Sequence, residues 1–185
     1  TSREPQLPKF DIQLGDLGIY AAKVKAKDVG ATYEHFKSEN LDLMSGLMKS
    51  PDGRTHFFMR DPYGNVFQIV SSDTWFHKGK PMTGGIYGGI LGVTDMDKAC
   101  EFYKNILGYD VKVYDEETDF ADFANLPGGQ ATFRRVLLQH SEDRKGSFAP
   151  LLGPSEIELV SVKGRTPRKI FENRWWGDRG FIHLS

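Results

Sequence analysis

The sequence predicts an α+β protein built from tandem βαβββ modules, and three observations carry that prediction. The stretch "GIYAAKVKAKD" at 18–28 lines up with "GIYGGILGVTD" at 85–95, an offset of 67 residues. In each copy the closing Asp is followed by a segment of helical period and then by short extended runs. Finally, "FQIVS" at 67–71 matches "IELVS" at 157–161, an offset of 90 residues. Two similar openings and two similar closings mark a repeated structural unit.

The elements follow in order. The first helix is expected after Asp28, with Val29, Tyr33 and Phe36 on its apolar side, and the second after Asp95, with Met96, Ala99, Cys100, Tyr103, Ile106 and Leu107. Asp28 and Asp95 occupy N-cap positions, and Gly108 occupies a C-terminal stop. Extended runs are expected near 41–49, 54–60 and 66–71 in the first copy and near 109–115, 130–139 and 155–162 in the second. The difference in offsets makes the second copy longer by about 23 residues, and "DEETD" and "SEDRKGS" read as its enlarged loops. A third opening, "GFIH" at 180–183, places His183 in register with Ala21 and Gly88, while Gln68 stands in register with Glu158. The predicted organisation is a module over 1–75, a module over 83–163, a linker over 164–179 and the first strand of a further module at 180–185.

Composition narrows the function classes. With 39% hydrophobic and 12% aromatic residues, 185 residues bury one substantial core or two small ones. Lys+Arg 24 against Asp+Glu 25 gives a net charge of -1, so no global field draws the chain to nucleic acid or anionic lipid. A small-molecule partner is expected instead. The single Cys100 excludes an intrachain disulfide and suits a reducing, cytoplasmic compartment. Neither a P-loop nor a dinucleotide fingerprint is present.

"GVTDMDKACEFYKNILGY", the "RDPYGNVFQIV" ending and the "GFIHLS" restart together resemble the vicinal oxygen chelate superfamily of glyoxalases, bleomycin-resistance proteins and extradiol dioxygenases. The resemblance implies that two modules curl a mixed, incompletely closed sheet into a cup, helices outside, with metal ligands on the first and last strands. Carried over residue by residue, it assigns Glu158 and His183 to a divalent metal (Zn, Ni, Fe, Mn or Co) and leaves Ala21 and Gly88 without a ligand atom. Glu158 would also be the catalytic base of a glyoxalase-like lyase. The alternatives are a metal-free, bleomycin-resistance-like binding protein, in which Gln68 orients the ligand, and an extradiol dioxygenase. The resemblance also implies a four-module parent, in which each module here pairs with one outside 1–185; otherwise the two modules pair with each other or across a homodimer.

Further candidates come from the residues themselves. Arg134 and Arg135 point to opposite faces of one strand, so either both make surface ion pairs or one, Arg135, faces the cup and clamps an anion. Trp176, with Trp175, either packs the linker onto the sheet or closes the pocket over substrate. His35 and His56 read as structural, His140 as loop-facing, and the cluster Asp115, Glu116, Glu117 and Asp119 as a solvated loop.

Overall fold

In the computed structural model, which describes residues 3–76, 79 and 81–183, one mixed sheet organises both modules. The first module contributes β1 (Gly18–Ala26), α1 (Val29–Ser38), β2 (Asp42–Leu43), β3 (Met48–Lys49), β4 (Thr55–Arg60) and β5 (Val66–Ser71). The second contributes β6 (Thr83–Gly92), α2 (Met96–Leu107), β7 (Val111–Thr118), β8 (Phe133–Gln139), the short α3 (Ala149–Leu152) and β9 (Glu156–Val162). The sheet runs β2-β4-β5-β1-β6-β9-β8-β7, with β3 on β4. Parallel pairs β1–β5 and β6–β9 repeat one another, and antiparallel β1–β6 joins the modules at the centre. Of the arrangements the sequence leaves open, the one described here joins the two modules of this chain through β1–β6.

Local chemistry explains the elements. The Asp28 carboxylate caps α1 by accepting the Ala31 N–H at 2.8 Å, and Asp95 caps α2 by accepting that of Lys98 at 3.1 Å. Gly108, at φ 74°, ends α2 in the left-handed conformation that glycine adopts without Cβ strain. In "RDPYGN", Asp61 accepts the N–H groups of Tyr63 and Asn65 at 2.8 and 2.9 Å, which fixes the turn into β5.

Two segments differ from the sequence expectation. The run 41–49 breaks into β2 and β3 because the Ser45 hydroxyl, at 2.9 Å, takes the Phe58 N–H that a continuous ladder would use. "DEETD" is largely strand: β7 continues to Thr118, an exposed edge whose charges find partners, Arg134 on β8 to Asp115 at 2.9 Å and Lys163, just past β9, to Glu117 at 3.2 Å. Gly180–His183 carry no strand pairing, and Leu184 and Ser185 lie outside the described residues.

Apolar clusters sit on both faces. Outside, α1 covers Phe57 and Ile69, while α2 lays Met96, Ala99, Cys100 and Tyr103 on Val136, Leu138, Ile157 and Leu159. Inside, Phe58, Phe123, Phe133 and Val160 fill one end of the cup. No helix among the described residues is long and apolar enough to cross a membrane.

Gly88 has a packing role. A Cβ there would lie 1.8 Å from the carbonyl oxygen of Glu156, so any side chain must push β6 from β9. Gly88→Ala is expected to cost about 3 kcal/mol in urea unfolding, whereas Gly85→Ala, with nothing within 4 Å, should stay within about 0.5 kcal/mol of the parent. Equal losses would refute the close-approach explanation.

Candidate functional site

Strand alternation sends His56, Gln68, Lys23, Glu156, Glu158, Arg135 and Tyr114 into the cup, and every one of them is buried. A loop of the second module adds Asp122, carried into the interior by a 3₁₀ turn (Ala121–Phe123). The Arg135 guanidinium donates through Nε to Glu158 Oε1 and through Nη1 to both Asp122 oxygens, at 3.0 and 2.8 Å. It lies 4.0 Å from the Phe123 ring centroid. The same Asp122 meets His56 Nε2 at 3.0 Å, so β4 and β8, far apart along the sheet, converge on one carboxylate and the sheet curls.

Lys23 completes the network. Its Nζ donates to Glu156 Oε1 at 2.7 Å and lies 2.6 Å from Glu158 Oε2, an ion pair at an angle outside hydrogen-bonding geometry. Glu156 is also held by Arg54 Nη2, 2.9 Å from Oε2, and by Gln139, which donates at 3.0 Å. Lys23, Arg54 and Arg135 thus face Glu156, Glu158 and Asp122, cation for anion. Burial by itself would raise the Glu158 carboxyl; Arg135 and Lys23 outweigh it and hold the group well below the ordinary carboxylate range. Burial, reinforced by Glu158, pushes the Tyr114 hydroxyl up, which keeps it a proton donor to Glu158 Oε1 at 3.0 Å.

These contacts decide how well a metal ion fits. Glu158 has Oε1 committed to Arg135 and Tyr114 and Oε2 beside an ammonium, so a divalent ion there would face two cations already in place. Among the described residues no three His, Cys, Asp or Glu side chains are grouped to hold a metal. The residues present do not fit the ion. Glu158 and His183 are not brought together: His183 lines a cavity walled by Ile157, and alternation along β9 turns Glu158 to the opposite face.

That second cavity, about 760 Å³, lies between α2, the outer side of β6 and β9, and the segment 170–183. Leu91, Tyr103 and Ile157 extend the apolar cluster under α2 into it, and Ile170, tied to Leu17 by a 3.0 Å backbone bond, closes its base. Tyr109, Ser155, Arg144 and His140 supply a polar end.

The other expected residues separate. Gln68 is buried in the cup, with Oε1 unpartnered among the described residues. Arg134 makes the surface ion pairs and Arg135 the buried ones. Trp176 is exposed and stacks on His183, centroids 4.9 Å apart, while Ile170 does the packing expected of the tryptophans. His140 is partly buried against the Tyr109 ring, with centroids 4.0 Å apart. Sequence reading missed Lys23, Arg54, Asp122 and Glu156. Only Glu156 left a signal, its place two residues before Glu158 on the same strand face.

This architecture has counterparts among solved structures. A point mutant of glyoxalase I from Zea mays superimposes with a TM-score of 0.51 at 19% identity, over 85% of this chain and 48% of that one. A proposed dioxygenase from Bacillus subtilis gives 0.52 at 17%, over 85% and 45%. A point mutant of methylmalonyl-CoA epimerase from Streptomyces coelicolor gives 0.43 at 13%, over 80% and 99%. The chain spans just under half the length of the first two. No curated protein sequence matches it. The repeated parallel β1–β5 and β6–β9 pairs, joined centrally in an open mixed sheet, agree with a sequence-family match over residues 87–185, more than half of the chain, and by that match the chain belongs to the Glyoxalase/Bleomycin resistance protein/Dioxygenase superfamily.

Proposed function

We propose that this chain is a small-molecule-binding module that takes an apolar ligand in the 760 Å³ cavity and does so without a metal ion. The supporting observation is that cavity: a concave, largely apolar space with a few polar groups converging at one end has the form of a ligand site. The cup supports the reading from the other side. A glyoxalase-type reaction asks Glu158 to coordinate a metal and to carry a proton, and a carboxylate gripped by Arg135, Tyr114 and Lys23 is withdrawn from both tasks. The charged network then acts as the filling of the cup, with Gln68 beside Lys23 across β1–β5.

The test uses N-phenyl-1-naphthylamine, an uncharged apolar dye whose emission rises in apolar surroundings. Saturable binding with one site per chain is expected, unchanged after EDTA treatment and lost in Leu107→Trp, which adds bulk at an exposed position of the cavity wall. Binding that disappears with EDTA, or that survives the Trp substitution intact, would overturn the proposal.

A further inference from the structure

We propose that the cavity selects organic anions: an aliphatic or aromatic body carrying one carboxylate, with the carboxylate seated among Arg144, Ser155, Tyr109 and His140. This rests on the binding reading above and adds the chemical class of the ligand. The first support is the charge of the wall. The described residues lining the cavity include no Asp or Glu; their ionisable members are Arg144, His140, His183 and tyrosines. Glu142 and Asp143 line an adjoining space of about 90 Å³ that shares Tyr87, His140, Arg144 and Ser155 with the cavity, and Glu142 is paired there with Lys145 at 2.9 Å.

Hydrogen bonding supplies a second, independent support. Arg144 Nη2 donates to Ser155 Oγ at 2.6 Å, and the Tyr109 and Ser155 hydroxyls are 2.8 Å apart. If Tyr109 also donates to Ser155, that serine has both acceptor positions filled and its own proton left for a ligand oxygen. Arg144 makes no ion pair with the described residues, so its remaining donors are available as well. Beside them, His140 Nε2 is buried without a partner among the described residues. A buried ring nitrogen left unpaired carries a desolvation cost that a bound polar group removes. Donors concentrated at one end and apolar side chains over the rest match an amphiphilic monoanion better than a neutral lipid or a dianion, since one guanidinium balances one negative charge.

Displacement of N-phenyl-1-naphthylamine tests the assignment with decanoate and decan-1-ol, which share a chain and differ in the head group. Decanoate is expected to displace the dye at about tenfold lower concentration than decan-1-ol, and Arg144→Met should remove that preference by weakening decanoate far more than the alcohol. Arg144 is exposed, so the variant should fold, and an unchanged melting curve verifies it. Ser155→Ala provides a second variant, expected to weaken decanoate more than the alcohol. Equal displacement by acid and alcohol, or an Arg144→Met protein that keeps the preference, would overturn the carboxylate assignment and leave the cavity reading standing. Failure of the dye and of both competitors to bind would overturn the two together.

Discussion

Replacing Arg135 by methionine is expected to destabilise the protein by about 3–5 kcal/mol, the range for removing one partner from a buried ion pair. Arg135 is wholly buried and serves two carboxylates, Glu158 through Nε and Asp122 through Nη1. Methionine fills much of the volume beside the Phe123 ring but leaves both acids without their guanidinium. The loss therefore comes from uncompensated charge rather than from a cavity. Lysine at the same position restores the charge as a single point donor that cannot span Glu158 and Asp122 together, so Arg135→Lys should fall between the two. Adding Glu158→Gln to Arg135→Met should cost less than the substitution costs alone, because the amide removes one orphaned charge. Urea unfolding of the four proteins measures these differences through the midpoint, at constant slope. An Arg135→Met protein within about 1 kcal/mol of the parent would show that the network contributes little.

Lys23→Met is the second large effect, expected at about 3 kcal/mol at neutral pH, and it has a pH signature. In the parent, the Glu158 carboxyl is held below its ordinary value of 4.5, so its contribution is complete above that pH and is lost as pH falls towards the folded-state value. Removing the ammonium lets the Glu158 pKa rise in the folded variant, which then binds a proton sooner on acidification than the folded parent does. The variant gains relative stability as it does so. The gap between parent and variant should accordingly be widest at neutral pH and narrower at about pH 4. A gap that is independent of pH would mean that Lys23 acts through packing of its stem and not through its charge.

Much of the fold is legible in the residues. Caps at Asp28 and Asp95, the stop at Gly108 and the Asp61 turn are local interactions spanning a few positions, and the sequence positions marked them directly. The repeat also put Gln68 and Glu158 at matching points, and the structure turns both into the cup. "KVKAK" is different. Alternating lysines in a strand read as a solvent-facing row, yet Lys23 is 2% exposed because β1 pairs with β6, opposite Gly88, in the middle of the sheet. Asp122 gives no clue at all: it lies between β7 and β8 among Phe120, Phe123 and Leu126, and only the 3₁₀ turn after β7 carries it to Arg135 and His56.

The sequence by itself determined the two βαβββ units, their helix ends and the matching strand positions of Gln68 and Glu158, while leaving Arg135 open between the surface and the cup. Tertiary structure decided that the modules pair with each other, that Glu158 meets an ammonium and a guanidinium, and that His183 lines a cavity on the other side of β9. The physical reason is range. Strand alternation and capping are set within a few residues, whereas the ion pairs filling the cup join Lys23 on β1 to Glu156 and Glu158 on β9, and which charges become neighbours depends on how the whole sheet closes.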